Sequence, residues 1–226
     1  MKSLLHPFNE NGRHRTLFLL AGLSLLCIIL LTVRMVVSDS PIYRFLLWNL
    51  FLALIPYALS RLIGSKHAPS SKSLLAVLFF LWIIFLPNAP YLLTDLLHLR
   101  ERPGIPLWYD MLMLLSFGWT GLIAGFISLL NVQVAISQRL PEKIARIISL
   151  ATLFLCSFGI YLGRFLRLNS WDVITNPGNL LGCISDRLLN PFSHPRTWAV
   201  TCILTAFLML SYLVLEQLMN SKKQNS

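Results

Sequence analysis

Asp95, His98 and Asp110 are the side chains of this chain best suited to moving a proton, and Arg164 and Arg167 are those best suited to holding an anion. A carboxylate can act as general base, and an imidazole exchanges its proton near neutral pH. The two arginines stand three residues apart, so on a helix they share a face, and each guanidinium can grip a carboxylate or phosphate through two parallel hydrogen bonds. Asn49, Asn88, Tyr91, Asn169 and Asp172 complete the polar set. Catalysis would fall to Asp95, His98 or Asp110. Ligand binding would fall to Asn49, Asn88, Tyr91, Asp95, Asp110, Arg164, Arg167, Asn169 and Asp172.

What must position them is a set of six long apolar runs, at about 16–37, 42–63, 73–93, 107–130, 144–165 and 197–219. Each approaches or exceeds the ~20 residues that carry a helix across a bilayer core. The chain is 56% hydrophobic and 12% charged, about half the charge of a soluble domain, and its mean hydropathy is +0.68. The expected fold is all-α: a single six-span membrane bundle over residues 1–226. Alternating the crossings carries all the polar candidates to one membrane face. The first run follows a basic leader as a signal peptide would, but its uncharged core is longer than a signal's ~7–15 residues and no A-x-A pattern follows. It reads as a retained helix. Of the 19 Lys and Arg, 11 fall on the N-terminal side and 8 on the other, so the positive-inside rule puts both termini in the cytoplasm. The polar face is then extracytoplasmic.

The third run contains Pro87-Asn88-Ala89-Pro90-Tyr91, two prolines that each remove a backbone donor, so the helix must kink or stop there. Such a break at membrane depth needs protein or a watery cavity beside it. If Pro90 restarts an α-helix, Tyr91, Thr94, Asp95 and His98 share one face. That face is either the wetted end of an interfacial helix or a cavity wall. Trp108-Tyr109-Asp110 opens the fourth run with two interface aromatics and an acid suited to a helix N-terminus. Gly121 and Gly125 form a G-x-x-x-G there, as Gly159 and Gly163 do on the fifth run, which suggests tight packing of those two spans. Arg164 and Arg167 either snorkel from a helix end or pair with Asp95, Asp110 or Asp172. Asn49, inside the second run, should find a partner across a helix interface.

The connections add less. Residues 67–72 form a turn-rich linker. Within residues 169–196, Pro177-Gly178 and Asn190-Pro191 bracket Leu180, Leu181, Ile184, Leu188 and Leu189 at helical spacing, which reads as a short amphipathic helix in the membrane interface. Pro56-Tyr57-Ala58-Leu59-Ser60 faintly echoes Pro90-Tyr91-Leu92-Leu93-Thr94, as an inverted repeat would. Cys27, Cys156 and Cys202 lie in apolar runs, and only Cys183 and Cys202 are placed to form a disulfide. No nucleophile elbow, phosphate loop, dinucleotide fingerprint or heme-attachment motif is present. The expectation is therefore no cofactor, no metal and, despite a net charge of +10, no nucleic acid, because the basic residues flank spans where anionic headgroups meet them.

Four blocks, Trp48-Asn49 through Pro56-Tyr57, Leu86-Pro87-Asn88-Ala89-Pro90-Tyr91 through Asp95, Trp108-Tyr109-Asp110, and Gly163-Arg164 through Trp171-Asp172, resemble the hallmark segments of a bacterial polytopic membrane family known as domain of unknown function 1361. The likeness covers nearly the whole chain except its polar ends. It implies a multi-span inner-membrane protein whose motif residues are the nine binding candidates named above, and it supplies no activity. Three functions stay open. The chain binds or transports a small or lipid-derived anionic ligand, with the bilayer as its other partner; or it is a membrane enzyme acting on a lipid or envelope precursor, with Asp95 or Asp110 as base; or its polar residues only fasten helices in a structural or assembly protein. Its oligomeric state is not legible.

Overall fold

The computed structural model describes residues 10–64 and 71–224, so of the linker expected at 67–72, residues 67–70 lie outside the described part. Six helices are long and apolar enough to cross a membrane: Gly12–Ser38, Phe45–Ile63, Lys72–His98, Leu107–Ser137, Glu142–Leu166 and Pro195–Met219. The protein is an all-α, multi-pass membrane protein, and no strand occurs among the described residues. Its helices are α1 (Glu10–Ser38), α2 (Phe45–Ile63), α3 (Lys72–Phe85), α4 (Asn88–Tyr91), α5 (Leu107–Ser137), α6 (Glu142–Leu166), α7 (Asp172–Thr175), α8 (Pro177–Leu189) and α9 (Pro195–Gln224). They form two compact units, Met1–Pro141 and Glu142–Ser226.

In the first unit α5 is the hub, and α1, α2, α4 and the 3-10 segment Leu92–His98 all pack on it. Leu31, Leu46, Leu50, Ala53, Leu92, Leu114 and Phe117 meet in its core. Lipid removes the hydrophobic drive between helices, so contact relies on close fit and on buried hydrogen bonds. Both are present. Trp82 donates from Nε1 to Ser128 Oγ at 2.7 Å, and Ser128 donates to the Pro56 carbonyl at 2.8 Å, which ties α3, α5 and the proline turn of α2 together. Gly118, Gly121 and Gly125 line one face of α5, and a Cβ at Gly121 would overlap the Ala89 carbonyl oxygen. The neighbour that Gly121 and Gly125 receive is therefore α4, inside the broken third span.

That break follows from its two prolines. α3 stops at Phe85, Asn88 Nδ2 donates to the Phe85 carbonyl at 2.9 Å, and α4 restarts the helix for a single turn. The chain then winds as a 3-10 helix to His98, where an α-helix was expected. At three residues per turn, Asp95 aligns with Leu92 and His98, away from Tyr91 and Thr94. The expected polar face is split: Leu92 and Asp95 are buried while His98 is exposed.

The second unit is built on α6 against α9. Thr197, Thr201, Leu208 and Tyr212 recur at helical spacing as the buried stripe of α9, and Arg146 bonds Glu216 at 2.7 Å. The connection holds α7, the expected amphipathic helix as α8, and a 3-10 turn at Pro191–Ser193. Pro177 starts α8 and Asn190-Pro191 follows its end; Leu181, Leu188 and Leu189 stay exposed. Cys183 and Cys202 are free thiols, so they form no disulfide in this structure.

The turn after α8 is fastened by Asp186, which accepts from Asn190 Nδ2 at 3.2 Å and meets His194 Nε2 at 2.7 Å. The Asn190 hydrogen bond, and after it His194 and Arg187, hold the Asp186 carboxyl below its ordinary range. A carboxyl depressed by folding stabilises fully above its unfolded value, roughly pH 4, and loses that contribution as pH falls through the folded value. Exchange at the His194 amide, which bonds the Pro191 carbonyl at 3.2 Å, is expected to accelerate below about pH 4 relative to an Asp186→Asn variant. Equal profiles would remove the role given to Asp186.

Candidate functional site

At the end of the first unit where α1 finishes and α5 begins, the buried stripe of α1 runs Cys27, Leu31, Arg34. A cation in that stripe must find a partner. Arg34 finds Asp110: Nε lies 3.2 Å from Oδ1 and Nη2 3.4 Å from Oδ2, with the two side chains 1% and 2% exposed. Its remaining nitrogen donates to Ser38 Oγ at 2.8 Å. Tyr43, fully buried in the connection between α1 and α2, has two guanidinium groups over its ring, Arg34 at 4.9 Å and Arg102 at 5.1 Å from the ring centre. Its hydroxyl donates to the His98 carbonyl at 3.2 Å, and burial, above all, pushes the phenol up, which keeps it a neutral donor. Arg102 is carried by a tight turn to Ile105, in which Gly104 takes φ +83°, the left-handed region that glycine enters freely.

Next to this cluster the 3-10 segment buries Asp95 completely, and Asn49 Nδ2 donates to its Oδ2 at 3.1 Å. This is the cross-helix partner expected for Asn49. His98 stands on the same segment with its ring edge-on to Phe45 at 5.1 Å. Tyr91 is half-buried, and its carbonyl accepts from Thr94 Oγ1 at 2.6 Å.

In the second unit Arg164 occupies the last turn of α6. Arg167 follows with φ +59° and an exposed side chain that makes no hydrogen bond or ion pair among the described residues. The Leu168 amide bonds back to the Leu162 carbonyl at 3.2 Å and closes the helix end. Asp172 turns inward to its own loop: it accepts from the Asn169 amide at 2.6 Å and from Thr175 Oγ1 at 3.2 Å. Arg196 lies 4.6 Å over Phe165, which stacks on Tyr161.

Of the expected residues, then, Asn49 meets Asp95, and Asn169 meets Asp172. Asp110, one of three acids considered as a partner for Arg164 or Arg167, bonds Arg34 through both oxygens. Arg34, Tyr43 and Arg102 were not among the candidates. Arg34 carried a signal, its place three residues after Leu31 and seven after Cys27; Tyr43 and Arg102 carried none. Among the described residues, no three His, Cys, Asp or Glu side chains converge as a metal ion requires.

The family model for Protein of unknown function (DUF1361) matches residues 48–211, most of the chain. The chain belongs to that family. No curated protein and no solved structure matches it. All nine binding candidates, with His98 and Arg102, fall inside the DUF1361 match. Arg34 and Tyr43 precede it, so the buried acid Asp110 of the DUF1361 region is neutralised by a helix outside the matched segment.

Proposed function

We propose that this DUF1361 protein resides in the bacterial inner membrane with both termini cytoplasmic. There it binds a small or lipid-derived anionic ligand at its extracytoplasmic face through Arg164 and Arg167. The observation that carries this reading is Arg167. A long cationic side chain occupies a left-handed position where glycine would be unstrained, and it spends its guanidinium on no partner among the described residues. The helix dipole favours a cation near the end of α6, and the left-handed turn at Arg167 is the helix-ending close made by the Leu168 amide on the Leu162 carbonyl. What supports the reading is an exposed guanidinium held at that turn with no partner among the described residues, placed to meet an anion.

Mass spectrometry of lipids and small molecules retained after gentle purification tests the reading. An anionic species enriched in the wild type and lost in Arg164→Ala/Arg167→Ala supports it; identical profiles from equally folded proteins remove it. A second result is expected from Arg167→Gly. Relief of the left-handed strain raises stability by up to about 1 kcal/mol, partly offset by glycine's freer unfolded chain, while ligand retention falls. A stabilised variant that retains the ligand unchanged would show that Arg167 is only a helix end.

A further inference from the structure

The end of the first unit opposite Arg34 and Asp110 carries a different arrangement. α1 and α2 both seat on the first unit's core, α1 on α5 and α2 on α5 and α3, yet barely touch each other. The gap is an apolar groove of about 890 Å³, lined along α1 by Leu17, Leu20, Ala21, Leu25 and Ile28 and along α2 by residues such as Ala58. From Leu17 to Ile28 the groove follows α1 for about 16 Å at 1.5 Å per residue. That is close to the ~15 Å depth of one leaflet's hydrocarbon. At its head the lining becomes polar: Arg61 and Tyr57 are shared with a niche formed with Arg13, Thr16, Ser60 and Asn131. The niche has about 10 Å³ of free space, room for one oxygen-sized group.

The charges there are one-sided. Arg13 spends one Nη on the Gly64 carbonyl at 3.0 Å, and Arg61, half-buried, has no hydrogen-bond or ion-pair partner among the described residues. Among the described residues, no carboxylate lines groove or niche. We infer that this groove is a binding site for one anionic phospholipid. An acyl chain lies along α1 between Leu17 and Ile28, and the phosphate is gripped by Arg61 with Arg13 beside it. A chain-length apolar slot ending in two guanidinium groups matches an amphiphile with a negative head, and basic pockets between membrane helices take such headgroups. A zwitterionic lipid would bring its own cation against Arg61. The site does not involve Arg164 or Arg167, so it stands or falls separately from the proposed function.

Native mass spectrometry of the full chain in detergent, titrated with palmitoyl-oleoyl phosphatidylglycerol or phosphatidylcholine, tests it. Expected for the wild type is a preference for phosphatidylglycerol of about tenfold, equivalent to ~1.4 kcal/mol, that weakens with salt. Arg61→Gln should bring the two lipids within about twofold, and Arg61→Lys should keep most of the preference. Ala58→Trp fills the groove from an exposed position and should abolish tight binding of both lipids without unfolding the protein. Equal affinity of the wild type for both lipids overturns the inference, as does an unchanged preference in Arg61→Gln. Displacement of the lipid by millimolar glycerol phosphate would mark a headgroup-only site and overturn the acyl-chain assignment.

Discussion

Arg34→Met is expected to destabilise the protein by about 3–5 kcal/mol, because it leaves Asp110 charged and buried with neither oxygen neutralised. Asp110→Leu should cost a similar amount by stranding Arg34 beside Tyr43. The double variant, Arg34→Met with Asp110→Leu, should recover most of the loss, since a buried ion pair exchanged for apolar side chains of similar size is often neutral or stabilising. Reversible unfolding in mixed micelles, followed by tryptophan fluorescence, gives all three values and their coupling. Arg34→Lys is informative as well: an ammonium keeps the charge but cannot repeat the two-pronged contact at 3.2 and 3.4 Å. It should fall between the wild type and Arg34→Met. Single variants that lose less than about 1 kcal/mol would show that the pair contributes nothing to the fold.

The same geometry bears on the enzyme reading. A general base must be within reach of the proton it takes, and Asp110 is buried, with each oxygen bonded to the Arg34 guanidinium. Asp172 is likewise bonded within its own loop. Two of the acids therefore act first as fasteners. Arg167 and Arg61 are cations without partners among the described residues, and they favour anion binding over acid–base catalysis.

The six spans were legible because the bilayer imposes a simple rule, ~20 apolar residues per helical crossing. Small corrections came where helices run past the hydrocarbon, as α5 does to Ser137. The break at Pro87 and Pro90 was legible for an equally local reason, the missing donors. Its continuation as a 3-10 helix was not, because nothing in Leu92–His98 disfavours an α-helix. The partner of Asp110 was hidden for a third reason. Arg34 and Asp110 are 76 positions apart, and the order of helices around a bundle is not written in apolar periodicity. The glycines announced a close contact and were read as joining spans four and five, whereas Gly121 and Gly125 face Ala89 and Pro90 of the broken third span.

Gly121→Ala provides the sharpest test of that contact. The atom its Cβ would overlap is the Ala89 backbone oxygen, so relief requires α4 itself to move. Overpacking of this kind costs typically about 1–3 kcal/mol. Gly125→Ala meets side-chain atoms, the Ala89 methyl at 3.0 Å and Pro90 Cδ at 3.6 Å, and should cost distinctly less. The displacement has a second consequence, because α4 leads directly into the 3-10 segment that holds Asp95 against Asn49. If α4 is forced outward, the 3.1 Å hydrogen bond stretches, and Asn49→Ala should then cost less in the Gly121→Ala background than in the wild type. A double-mutant cycle on Gly121 and Asn49 measures this coupling. Strict additivity, with Gly121→Ala no worse than Gly125→Ala, would mean that the broken span does not sit on the glycine face of α5.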